Sequence, residues 1–181
     1  AGTGMLWQGD FQNARQLLQA MARRADHKPA KAAARAAAKL AAASPAERFH
    51  LHRQAQAQRA RTLGTLLIAL EHDYSIALRR APDWRAAITE AWGPPTGEAC
   101  VASLRELLGI VGAHEWRKKG VEIAALGDPP GNRIHPHYGV FSPVRGEYID
   151  LVACQALPPG AALAFDIGTG TGVLAALLAR R

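Results

Sequence analysis

The sequence predicts a mainly α N-terminal domain over residues 1–112, followed by the start of an α/β domain over residues 113–181. Three observations predict it. Apolar residues recur at helical spacing through the first part. Beyond Val111-Gly112 the chain becomes punctuated by glycine and proline. Near the end, the apolar run Ala162-Leu163-Ala164-Phe165 has the character of a fully buried strand, and a glycine-rich turn and an apolar helix follow it. Apolar residues make up 49% of the 181, enough to bury a core and too many for a disordered chain.

Taken in order, Asp10 caps a predicted helix to about Arg24, with Phe11, Ala14, Leu17, Leu18 and Met21 on one face. Residues 28–43 form a low-complexity basic linker. Ten alanines lie between Ala30 and Ala43, and Lys31, Arg35 and Lys39 are spaced four apart, so a helix carries them as one stripe. With almost nothing large to bury, such a helix is marginal. Ser44-Pro45-Ala46-Glu47 combines an N-cap, a proline at the first helical position and a capping box, so a helix starts there and runs to about Arg61. The spacing then predicts an apolar helix from Leu63 to about Arg80, a short one from Pro82-Asp83 to Trp92, and another from Thr96 that buries Val101, Leu104, Leu107 and Leu108. The expected core draws on Leu17, Leu18, Met21, Leu66, Leu67, Leu70, Leu104, Leu107 and Leu108. Further on, Val121 to Leu126 reads as a strand, residues 127–132 as a turn, Ile134 to Val144 as extended chain, Glu147 to about Ala156 as a helix, and Gly172 onward as the last helix.

Charge is uneven. Residues 1–62 hold eleven Lys and Arg against three acids, a net +8; residues 63–126 come to −1 and residues 127–181 to zero. A basic N-terminal third fits either a polyanionic partner or a solvated helix face. Trp7, Phe11 and Phe49 read as packing residues, which leaves base stacking there poorly supplied. No apolar run approaches the ~20 residues needed to cross a bilayer. Two cysteines, Cys100 and Cys154, suit a reducing cytoplasm and cannot build a metal quartet. His135 and His137 lack a third ligand near in sequence, so no metal site is expected.

The segment Asp166-Ile167-Gly168-Thr169-Gly170-Thr171-Gly172 is the one with clear chemistry. Glycines permit a tight turn and close approach of a ligand to the main chain, and the following helix offers N–H groups. An acid at the end of the preceding strand lies where open α/β sheets bind ligands. Gly170-Thr171-Gly172-Val173-Leu174-Ala175 also satisfies a loose dinucleotide pattern, G-x-G-x-x-A, so a nicotinamide cofactor is a competing reading.

The string from Phe165 to Ala175 resembles motif I of the class I S-adenosylmethionine-dependent methyltransferases, and in particular the small-domain subgroup that modifies ribosomal proteins, release factors and RNA. The resemblance implies a Rossmann-like α/β methyltransferase domain. It implies that Asp166, Gly168, Gly170 and Gly172 hold S-adenosylmethionine, with Thr169 as a backbone contact. A second stretch, His137 to Tyr148, occupies the place of a proline-containing segment that folds over the cofactor in those enzymes, which makes Phe141 and Arg145 candidates. The resemblance covers residues 135–181 and leaves the helical part unassigned. Its later motifs, an acid for the ribose, a polar residue for the adenine and an Asn-Pro-Pro-type motif, are not in this sequence. The expectation is therefore the front part of a longer cytoplasmic enzyme, inactive by itself, with its catalytic residues beyond Arg181. Its methyl acceptor is open between RNA, a ribosome-associated protein and a small molecule. The alternative is a basic helical module that binds nucleic acid or protein without catalysis.

Overall fold

The computed structural model describes residues 2–27, 30–140 and 146–181. It is a mixed α/β structure in two compact units. One unit comprises Ala1–Thr89 and Pro94–Gly109, the other Glu90–Gly93 and Ile110–Arg181.

In the first unit, strand β1 (Met5–Leu6) leads to helix α1 (Phe11–Asp26). The Asp10 carboxylate accepts from the Gln12 N–H at 2.9 Å, the expected cap, and also receives the Arg80 guanidinium at 2.6 and 2.8 Å. Helix α2 (Ala30–Ala42) follows, then α3 (Pro45–Leu63). The Ser44 capping box forms as the sequence predicts, with Glu47 N–H to Ser44 Oγ at 3.3 Å and Ser44 N–H to Glu47 Oε2 at 2.8 Å. Helices α1 and α3 pack together, and Arg59 clasps Asp26 through two bonds of 2.6 and 2.8 Å.

Two expected helices are corrected here. Leu66–Leu70 is strand β2, and the residues after it form turns rather than a helix to Arg80. Cys100–Ser103 is strand β3, so the helix expected from Thr96 begins only at Leu104, as α5 (Leu104–Lys119). Strand β2 pairs in parallel with β1 and antiparallel with β3, in the order β1-β2-β3, with Ile68 opposite Ala102 and Leu70 opposite Cys100. The reason is the ambiguity of a short apolar run. Leu66, Ile68 and Leu70 are buried on one face of the strand, a period of two that fits the same letters as a helical stripe. Val101, expected to be buried, points away from that core and is 58% exposed.

Of the expected core, Leu18, Leu66, Leu70, Leu104 and Leu107 are buried; Leu17, Met21, Leu67 and Leu108 are half-buried. Phe11 and Ile68 complete it, and Phe11 meets the edge of Trp84 at 5.1 Å between centroids. Helix α4 (Arg85–Trp92) starts where Asp83 accepts from the Arg85 N–H at 3.1 Å.

Helix α2 is different: every described side chain on it is exposed, Leu40 included. Helix propensity and the Arg48 guanidinium on the Ala41 and Ala43 carbonyls at its end hold it, with no buried side chain among those described. Its amides should exchange with solvent far faster than those of β2 in a hydrogen-exchange experiment. Equal protection in the two elements would contradict this.

In the second unit, the expected strand at 121–126 splits into β4 (Val121–Glu122) and a 3-10 turn at Ala124–Leu126. Strand β4 pairs antiparallel with β5 (Arg133–Ile134) across the predicted 127–132 turn. Helices α6 (Glu147–Cys154) and α7 (Val173–Ala179) pack on the 3-10 turn at Ala124–Leu126, and Ile123, Leu126, Ile149, Val173 and Leu177 form one cluster.

The expected buried strand at 162–165 is the largest correction. The segment forms no strand and pairs with none, and Leu163, Phe165 and Ile167 are 74%, 80% and 95% exposed. A strand satisfies its N–H and C=O groups only through neighbours, and the described residues supply none beside it. Among the described residues no helix is long and apolar enough to cross a membrane.

Candidate functional site

The glycine loop is held at both ends. Its exit is fixed because Val173 and Leu177 bury against Ile149 of α6. Its start is fixed by Asp166, whose Oδ2 accepts from Thr169 Oγ1 at 3.0 Å and from the Ala175 N–H at 3.1 Å. Asp166 thus clasps the loop across nine residues and caps an amide of α7. Gly172 N–H adds a 2.8 Å bond to the Thr169 carbonyl.

Gly168, Gly170 and Gly172 have φ of +79°, +55° and +76°, which is why this turn needs glycine. A Cβ built on Gly168 would meet nothing within 4 Å, so the backbone angle, and not crowding, selects glycine there. The open space faces a cavity of about 300 Å³ walled by Tyr148, Asp166, Gly168, Thr169, Gly170 and Thr171. Burial, with the Asp166 carboxylate adding to it, pushes the Tyr148 phenol up from its ordinary value of 10.0, so it stays a hydrogen-bond donor. The structure therefore brings Asp166, Gly168, Thr169 and Gly170 together around one cavity, while Gly172 closes the turn behind it through its bond to the Thr169 carbonyl and does not wall the cavity. Tyr148 is a wall that the motif did not indicate. Phe141 and Arg145 lie outside the described residues.

A second cavity continues from the loop. Gly170 and Thr171 also wall a space with Ile134, His135, Pro136 and His137. Pro136, His137 and Val140 in turn wall a third, apolar cavity with Trp116 and Val121. Gly120 makes this arrangement possible. It ends α5 at φ +76°, its N–H bonds to the Trp116 carbonyl at 2.8 Å, and a Cβ there would stand 2.9 Å from the His135 ring. His135 Nδ1 donates to the Arg117 carbonyl at 2.6 Å, which fixes its tautomer and ties β5 to the end of α5. Of the pair His135 and His137, the first is thus a clamp. Among the described residues no three ligating side chains gather as a metal would need.

Glu90 lies beside this region, bonded to His114 Nδ1 at 2.8 Å and Arg117 Nη1 at 2.9 Å. Burial raises its pKa, but those two bonds outweigh it and hold the carboxyl below its ordinary 4.5. These two bonds join Glu90 of α4 to α5 side chains on either side of Trp116 in sequence.

In the first unit one expectation is revised. Phe49 is 61% exposed on α3, with its ring 5.7 Å from that of His50, so it is not a packing residue.

No known family model, no curated protein and no solved structure matches this chain.

Proposed function

We propose that residues 121–181 form the cofactor-binding opening of an S-adenosylmethionine-dependent methyltransferase with a Rossmann-like core. The observation that supports the reading is the clasped loop: three glycines at positive φ, an acid closing the turn, and empty space in front of Gly168 bounded by Tyr148. A ligand with a positive sulfonium and a ribose suits this cavity, since the Asp166 Oδ1 atom has no bond in the clasp and the Tyr148 phenol donates. The cofactor supplies an electrophilic methyl group, and the protein's part is alignment. Leu163, Phe165 and Ile167 alternate along the chain and are exposed, a row of apolar side chains of the kind that a strand in a Rossmann-like core would bury.

Competitive calorimetry tests the reading. S-Adenosylmethionine should bind in preference to NAD, and Asp166→Ala should weaken it by about 1–3 kcal/mol, the cost of losing a charge-assisted contact. Thr169→Val removes one bond of the clasp and keeps the charge, so its loss should be smaller, about 0.5–1.5 kcal/mol. Preference for NAD ends the methyltransferase reading.

A second reading has its own observation. Phe49 and Arg53 are one helical turn apart and exposed on α3, in a region of net positive charge. A polyanion-binding module would use that face. It predicts salt-dependent nucleic-acid binding lost in Phe49→Ala, with no cofactor binding.

A further inference from the structure

We propose that the apolar cavity beyond the glycine loop, walled by Trp116, Val121, Pro136, His137 and Val140, binds a single base of a nucleic-acid strand, which makes nucleic acid the methyl-acceptor class. The inference rests on the methyltransferase reading for the word acceptor, but not for the binding.

Continuity is the first argument. The cavity shares Pro136, His137 and Val140 with the neighbouring space, and that space is walled by Gly170 and Thr171 of the loop. A group seated here lies along one groove with the proposed cofactor site. Size is the second. At about 250 Å³ the cavity is smaller than the roughly 300–1,000 Å³ of sites that enclose a whole drug-sized ligand, which suits one ring system.

Chemistry selects the ring. A base has two apolar faces and a polar edge, and the cavity has mainly apolar walls with two polar side-chain groups, the His137 ring and the Trp116 indole N–H. Trp116 is 54% exposed and supplies an indole face for stacking. His137 lies at the junction of both cavities; its backbone carbonyl accepts from the Val140 N–H at 3.1 Å, but its ring makes no bond or ion pair with another described residue, so the ring nitrogens are open to a base edge. Lys119 holds its ammonium 5.8 Å from the Trp116 centroid, near the limit of a cation–π contact, and is positioned to meet the phosphate of a base stacked on that indole. Lys118 is next to it, bridged to the exposed Glu115 at 3.5 Å. A peptide amide or carboxylate would want several converging donors and acceptors, and besides the His137 ring and the Trp116 indole N–H no lining side chain offers one.

The test is fluorescence anisotropy of labelled oligouridine and oligoadenosine titrated with the full chain at fixed salt. Trp116→Ala should weaken binding about ten-fold, the scale of losing one stacked base, and Trp116→Phe should restore most of it. Lys119→Ala should weaken binding and lower the salt slope by about one. Circular dichroism on each variant confirms folding, which the exposure of Trp116 favours. Equal affinities for wild type and Trp116→Ala, whether the strand binds through α3 or not at all, would overturn the proposal. So would displacement of the strand by a glutamine-containing peptide that itself depends on Trp116. Calorimetry with S-adenosylmethionine separates the two readings. Trp116-dependent strand binding without cofactor binding keeps the base site and ends the methyltransferase assignment. Cofactor binding with no Trp116 effect does the reverse.

Discussion

Gly170→Val should abolish S-adenosylmethionine binding while leaving the first unit folded. Gly170 sits at φ +55° and walls both the loop cavity and its neighbour, so a side chain there acts twice. It projects branched bulk into space the ligand needs. It also places a β-branched residue in the left-handed region, at a cost of roughly 1–3 kcal/mol. The loop has few ways to relieve that strain, because Asp166 fixes its start and the packed Val173 its end. Gly170→Ala should show an intermediate loss. Calorimetric binding by Gly170→Val equal to wild type would mean that the cofactor does not touch this turn.

Phe11→Ala should cost the first unit about 3–5 kcal/mol, the usual price for truncating a buried phenylalanine. Phe11 is fully buried, its ring abuts the edge of Trp84 at 82°, and its N–H bonds to the Arg79 carbonyl at 3.0 Å. It therefore ties α1 to the turn region that follows β2. Against a typical total of about 5–15 kcal/mol, such a loss moves the urea midpoint far. A shift below about 0.5 kcal/mol, the scale of a surface substitution, would show that Phe11 is not a core residue.

Much of the helical part was legible because its signals are local. Asp10 and the Ser44-Glu47 box name their helix starts through side chains that reach their own backbone, and both form. Strand β2 was not legible in the same way. Five apolar residues satisfy a period of two and a period of 3.6 alike, and the strand is decided by β1 and β3, which are distant in sequence. One local cue did exist for β3. Ser103-x-x-Glu106 is a helix-start pattern, and the Glu106 N–H does bond Ser103 Oγ at 3.1 Å, which places Cys100–Ser103 before the helix.

The site divides along the same line. Asp166 and the glycines were readable because a turn at positive φ leaves its mark in residue type. The stretch from His137 to Tyr148 is indicated as a whole, but not that its two end residues are the walls, and Trp116 is not indicated at all, since these walls are brought to the loop by the α6–α7 cluster and by the Gly120–His135 contact. The run from Ala162 to Phe165 was read as buried from its composition, yet burial depends on neighbours that composition does not supply.

Amide resonance mapping tests the central claim most directly. With the backbone of residues 146–181 assigned, S-adenosylmethionine is titrated into the labelled chain. The account predicts shifts concentrated at Gly168, Thr169, Gly170, Thr171 and Gly172, with the Tyr148 and Ala175 amides moving with them, and far weaker shifts there with NAD. Shifts confined to residues outside this loop, or a response to NAD alone, would contradict it.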